Sequence, residues 1–287
     1  MSFPVGIGIV TYNRKDIVAA TIERVRALTR EPNAVFVVAD DGSTDGTPAM
    51  LRAMQVPVVT SPNRGIAWNK NRALFLLAER LACETVILLE DDTRPGRPGW
   101  EAHWMMAARR WGHVNYAADW MREDFIGGRG TAEDPVCSRT VTAQCAAYSR
   151  AALAYAGYFD PRFTGYGHEH VEHTRRMIRL GYGGSEARQD GAERVIFHLI
   201  TGDIVVVPTP SHGNGAQVER NLQLARQLMA EPDYSAPWRD EDQLRQFRSE
   251  IETCFSDGPE QFALHKRPGT PPDRQSGRER LARLLAR

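Results

Sequence analysis

Short apolar runs and amphipathic stretches alternate through the first hundred residues. VGIGIV (5–10), VFVVA (35–39), VPVVT (56–60) and TVILL (85–89) are brief, β-branched and bounded by polar residues, as strands covered on both faces are. Between them, Ile17, Val18, Ile22, Val25 and Leu28 recur at helical spacing over residues 14–29, and Asn13 stands where a cap belongs. Thr47-Pro48 reads as an N-cap with a first-turn proline. Ile66, Ala73, Leu77 and Leu81 mark a third helix over 66–82. This rhythm predicts an α/β fold with a mostly parallel, Rossmann-like sheet flanked by helices and joined by right-handed crossovers. Ligands bind such sheets at the carboxyl ends of their strands. The polar segments TYN (11–13), DDGS (40–43) and EDD (90–92) all fall there.

Past residue 100 the pattern loosens. Residues 112–141 are polar and irregular, which predicts a mobile loop. VTAQCAAY (141–148) predicts a strand, a helix begins near Glu169, and RVIFHLI (194–200) predicts another strand. VPTPSHGNG (207–215) is a loop or hinge. Surface helices are expected over 216–231 and 239–254. The 287 residues thus divide into one α/β domain over 1–205, with halves at 1–100 and 101–205, a helical extension over 206–263, and a disordered tail over 264–287.

Charge changes this picture little. Formal net charge is zero, so nothing global points to nucleic acid or an anionic surface. The tail is the exception, with seven Lys/Arg against two Asp/Glu; a solubility role, phosphate tracking and membrane contact are all open to it. Cysteines 83, 137, 145 and 254 fit no zinc or compact disulfide pattern, which predicts free thiols in a reducing compartment. No signal peptide and no apolar run near the roughly 20 residues of a membrane span is visible, so a soluble cytoplasmic protein is expected.

The strand-end segments carry the candidate chemistry. Asp40 and Asp41 precede a Gly-Ser turn; they suit a pyrimidine edge or ribose hydroxyls, and equally an Asx-turn. Tyr12 could stack on a base, and TYNR could equally be a helix cap. The GIG at 6–8 lies inside a strand and lacks the third glycine of a dinucleotide fingerprint. Glu90, Asp91 and Asp92 crowd three carboxylates at a strand end, suiting a divalent cation on a phosphate ester or a solvated acidic turn. TGYGHEHVEHTRR (164–176) packs histidines and glutamates at a helix start. It admits a metal site pairing His173 with His170 or Glu169, a general base, or a polar cap. Trp100, Trp104, Trp111 and Trp120 could stack on a sugar or base, with core packing the ordinary role for most.

Taken together, VGIGIVTYNRKD, VVADDGSTDGT, NRGIAWNKNRAL, LLEDDTRP and FDPRFTGYGHEHVEHTRRMIRLGY resemble, in order and over residues 3–200, the motifs of family 2 glycosyltransferases with the GT-A fold. The resemblance implies a nucleotide-binding half at 1–100, an acceptor and catalytic half at 101–205, and inverting transfer from a nucleotide sugar, a UDP-sugar, assisted by Mn2+ or Mg2+. It places Thr11 and Tyr12 at the base pocket and Asp41 on the uracil edge, with Asn13 and Asp40 among the nucleotide-sugar contacts. Asn63 and Lys70 would approach the nucleotide and pyrophosphate, and Arg64 is a further candidate for the base pocket. Asp91 would face the ribose, with Glu90 among the nucleotide-sugar contacts, Asp92 the metal, and His198 a further metal position or the core. The family's late motif has Glu-Asp where this chain has Glu169-His170, so the base is Glu169 or His170, with Glu172 as an outsider. Lys70 stands in for the more usual arginine and loses its bidentate fork. The expected acceptors are a glycan, a lipid, a small molecule, a protein or a hydroxymethylated DNA base. A nucleotidyltransferase and a non-catalytic nucleotide-sugar-binding module are the rival readings.

Overall fold

The computed structural model describes residues 3–189, 192–209, 214–229, 231, 234–255 and 258–265. The expected alternation is present: β1 (Val5–Thr11), α1 (Lys15–Leu28), β2 (Val35–Asp40), α2 (Thr47–Ala53), β3 (Val58–Thr60), α3 (Ile66–Phe75) and β4 (Thr85–Glu90). All seven residues of β1 are buried, as are all six of β2, which is why these strands read as unbroken apolar runs. The third helix is shorter than the periodicity suggests. It gives way to a π-helical turn over Leu76–Arg80.

The chain continues through β5 (Thr93–Pro95), α4 (Glu101–Trp111), β6 (His113–Tyr116), a 3-10 turn (Asp119–Asp124), β7 (Phe125–Gly127), β8 (Val136–Ser138) and β9 (Cys145–Ser149). Then come α5 (Arg150–Ala156), α6 (Glu169–Arg179), β10 (Gly184–Gln189), β11 (Ala192–Ile200), β12 (Ile204–Val206), α7 (Gly215–Leu228) and α8 (Glu241–Cys254). The main sheet runs β3-β2-β1-β4-β9-β6-β11-β8-β7, with β10 beside β11. β3, β2, β1 and β4 are mutually parallel; β9 enters antiparallel to β4, and β11 runs parallel to β6. This is the expected α/β architecture, with antiparallel strands added in its second half.

Two local expectations are corrected. Residues 112–141 are largely not a loose loop: β6, β7 and β8 join the sheet through main-chain pairing. Strands of three or four residues are too short to show a periodic pattern in the sequence. The helices after 206 do more than decorate the surface. Phe247 and Ile251 of α8 are buried, and Phe247 meets Trp68 edge-on at 5.3 Å. The tail from 266 onward lies outside the described residues, as do 210–213 of the expected hinge. All four cysteines are free. Among the described residues no helix is long and apolar enough to cross a membrane.

Glycines set how closely the site's framework packs. A Cβ on Gly6 would stand 2.8 Å from Cys83 Sγ and from Leu77, so the strand's GIG serves helix-to-sheet contact. Gly65, at φ +92°, would place a Cβ 2.7 Å from the Gly165 nitrogen. The two segments touch there backbone to backbone, and the Ile66 N–H donates to the Gly165 carbonyl at 3.1 Å. This contact ties the start of α3 to the approach into α6, and so joins the two halves of the sheet's functional edge.

Candidate active site

The carboxyl ends of β1, β2 and β4 and the start of α6 open on one cleft of about 1260 Å³. Of the residues singled out from sequence, Thr11, Tyr12, Asp41, Asn63, Glu90, Asp91, Asp92, Glu169 and His170 line it. Asn13, Asp40, Arg64, Lys70 and His198 do not.

The three adjacent acids find two cations within the chain. One Arg14 amino group donates to Asp91 Oδ1 at 3.0 Å and to Asp92 Oδ2 at 3.1 Å. Thr11 Oγ1 donates to Asp91 Oδ2 at 2.8 Å, and Thr209 Oγ1 to Asp92 Oδ2 at 2.7 Å. Burial pushes the Asp91 carboxyl up to about 6, against the opposing pull of Arg14 and Thr11. Glu90 takes the second cation: Lys70 Nζ lies 3.2 Å from Glu90 Oε1 and 3.1 Å from Glu169 Oε1. Lys70 is itself fully buried behind the cleft. It welds the end of β4 to the start of α6.

Glu169 is consequently saturated. Its Oε1 accepts from Lys70, and its Oε2 accepts from the Gly167 N–H at 3.1 Å. Burial alone would raise its pKa, but Lys70 and then His170 outweigh burial and hold it well below the usual carboxylate range. His170 Nδ1 stands 3.5 Å from Glu169 Oε1. The metal pairings proposed for this helix do not form. His173 is fully buried, its Nε2 3.0 Å from the Gly157 carbonyl, its ring against Phe159. Glu172 is bound to Arg176. Helical spacing put these residues near one another, but α6 turns His173 inward to the core.

The remaining candidates are engaged with neighbouring parts of the fold. Asp40 Oδ2 accepts from the Ser43 N–H and from Thr60 Oγ1, so this acid closes its own turn. Asp41 accepts from the Arg64 and Gly65 N–H groups and from Arg72, and it still borders the cleft. Asn13 does not cap α1; Arg14 takes that position without a side-chain bond, while Asn13 Oδ1 accepts from the Thr44 N–H at 2.7 Å. That bond pins the first turn to the second. The Arg64 side chain turns away to Gln246 and lies over the Trp68 ring. His198 sits on β11, paired with Cys137 and edge-on to Trp111 at 4.7 Å. It is a sheet residue outside the cleft lining.

Several cleft residues escaped the sequence. Arg14 stood in a quoted motif, but nothing local ties an arginine to acids 77 residues away. Asn69, Tyr166, Gln144 and the strip 204–209 lie outside any strand-end motif. Asn69 Nδ2 donates to the Ala39 carbonyl at 2.9 Å.

A divalent ion fits this donor set in one way. Asp92 lines the cleft, and its Oδ1 has only the Thr93 hydroxyl, at 3.4 Å, which leaves one hard carboxylate oxygen largely unengaged. Among the described residues no group of three or more His, Cys, Asp or Glu could hold a metal. Protein ligands alone are too few, but one carboxylate completed by phosphate oxygens and water is the ordinary arrangement for Mg2+.

Comparison with known proteins places this geometry. The model of the glycosyl transferase family 2 matches residues 7–96. No curated protein sequence matches the chain. Among solved structures, the mannosyltransferase PcManGT from Pyrobaculum calidifontis, in complex with GDP-Man and Mn2+, superposes with a TM-score of 0.56 at 18% identity, covering 99% of this chain and 81% of that one. TarS from S. aureus gives 0.53 at 15% identity, over 90% of this chain and 44% of that one. GalNAc-T7 with UDP, GalNAc and Mn2+ gives 0.54 at 12%, over 88% and 55%. The chain thus spans about half the length of the last two. The molecule has the GT-A fold of these structures, and residues 7–96 match the family 2 model, in keeping with the resemblance.

Proposed function

We propose that the protein moves a sugar from a nucleotide sugar, with UDP as the nucleotide, to an acceptor hydroxyl in a single inverting displacement. The observation that carries this reading is the convergence of three strand-end turns and the start of α6 on one cleft. Tyr12, 47% exposed, offers a stacking face for the base, with Thr11 and Asp41 beside it. Asn63 and Asp91 serve the nucleotide's polar edges.

His170 is the base. Glu169 has its oxygens engaged and is held ionised, so it orients the imidazole rather than taking the proton. The acceptor oxygen bonds to the anomeric carbon as its proton passes to His170. The bond from that carbon to the phosphate oxygen breaks, and the diphosphate leaves with the electron pair. Asp92 would hold Mn2+ or Mg2+ together with the diphosphate; such an ion, when bound, offsets charge on the leaving group. Arg14 is placed to do the same from the protein side.

Two measurements test this. Incubation with a panel of UDP-sugars and Mn2+ is expected to release UDP; release of pyrophosphate, or an anomer of retained configuration by NMR, would overturn the assignment. Calorimetry is expected to detect Mn2+ uptake only when UDP is present, and none in Asp92→Ala. Tight Mn2+ binding without nucleotide contradicts the single-carboxylate site.

A further inference from the structure

A cleft of about 1260 Å³ exceeds the roughly 300–1,000 Å³ usual for one small ligand. The nucleotide side uses Thr11, Tyr12, Asp41, Asn63 and Asp91. The other side is built from Tyr116, Ala118 through Trp120, Val141 through Gln144, Tyr166 and the strip 204–209. Its chemistry is specific in two ways.

First, it is aromatic and open. Trp120 is 70% exposed and Tyr166 53%. Trp100 and Trp104, by contrast, are fully buried, with their indole N–H groups given to Thr29 Oγ1 and the Gly202 carbonyl. Trp120 is held out on the 3-10 turn Asp119–Asp124, which is anchored by buried Met121 through its N–H to the Ala118 carbonyl at 3.0 Å. An indole this exposed on a fixed turn at a cleft is a platform for a flat apolar face.

Second, it is uncharged or acidic. Among the described residues lining the cleft, Arg14 is the one permanent cation, and it is committed to Asp91 and Asp92. Asp119 is paired with Arg122 at 2.6 Å and Glu169 with Lys70 at 3.1 Å, so the lining offers a phosphorylated acceptor or a DNA backbone no uncommitted cation. Hydroxyl partners are present: Gln144 Oε1 is buried with no partner, and Asp119 borders the same space. An aromatic face flanked by an amide oxygen and a carboxylate whose charge Arg122 already balances matches a neutral sugar ring, which has one apolar face and a rim of hydroxyls.

We infer that this half of the cleft is an acceptor subsite for an uncharged glycoside, its terminal ring stacked on Trp120 and hydrogen-bonded by Gln144 and Asp119. The inference rests on the transferase reading for its purpose, but its test does not require turnover. Saturation-transfer NMR on the full chain with UDP and a set of methyl glycosides is expected to label ring protons of at least one of them. The signal is expected to disappear in Trp120→Ala and to persist in Trp120→Phe; at about 1.4 kcal/mol of stacking, the affinity loss is about tenfold. Circular dichroism checks that the variants fold, which an exposed position should permit. No transfer to any methyl glycoside, or equal transfer in Trp120→Ala, overturns the subsite. So does tighter binding of the matching sugar phosphates or of a hydroxymethylated DNA oligonucleotide. Glycoside binding without UDP release from any donor would uphold the subsite and remove the transferase reading.

Discussion

Replacing Lys70 by methionine is expected to cost about 3–5 kcal/mol of folding stability, read from urea denaturation at neutral pH. The ammonium is 1% exposed and sits between Glu169, 2% exposed, and Glu90, 23% exposed. Methionine fills most of the volume, so the loss is chiefly electrostatic: two neighbouring carboxylates remain without their cation. The sign with pH follows from the directions of the shifts. Glu169 is held below its ordinary value of 4.5, so its share of stability is present above that pH and fades as pH falls. Lys70 is raised above its ordinary 10.5, because Glu169 and Glu90 outweigh the burial that would lower it; its share is present below that pH and is lost as pH climbs through the folded value. The gap between wild type and Lys70→Met should therefore be widest at neutral pH and should narrow as acid protonates the stranded carboxylates. A cost below about 1 kcal/mol, in the range of an exposed pair, would mean that the bridge is absent.

Removing the imidazole in His170→Ala is expected to lower turnover by about 10²–10⁴-fold, the usual worth of a positioned proton acceptor. UDP binding, read as the shift in thermal midpoint, should survive, because nucleotide contacts lie on the other strand ends. Free imidazole added to the assay should restore part of the rate, which a merely structural role does not predict. Glu169→Gln should lower the rate as well, and should lower stability too, because it breaks the pair with Lys70. If Glu169→Gln alone abolished turnover while His170→Ala left it intact, the roles would be reversed.

The N-terminal half of the fold was legible because its strands are buried on both faces. Residues 5–11, 35–40 and 85–90 have one environment throughout, and their sequence states it. Strand-end placement alone brings Thr11, Asp41 and Asp92 to one edge. The second half was harder to read for a physical reason. β7, β8 and β10 are short strands held by main-chain bonds, which side chains do not record. At the site, residue types were visible but pairings were not. EDD announced an unusual charge density, but the choice of Arg14 for two of its acids and Lys70 for the third depends on how α1 and α3 pack. HEHVEH looked like a ligand cluster because helical spacing alone cannot say which face is inward; His173 and Glu172 proved to serve the interior. Asp40 and Asp41, adjacent in the chain, parted company because successive residues leaving a strand point to opposite sides.

β12 pairs with β5, the short strand that follows the acids, through Val206 opposite Thr93. Just beyond it the Val207 N–H bonds the Asp92 carbonyl at 2.8 Å, and Thr209 reaches the same residue's carboxylate from 117 positions away. The cleft's far wall is therefore stitched to the residue on which donor binding is proposed to act. Drawing Asp92 toward a diphosphate would loosen that stitch at Thr209, so filling one side of the cleft would reshape the other, and amide exchange along 204–209 would register whether a donor has arrived.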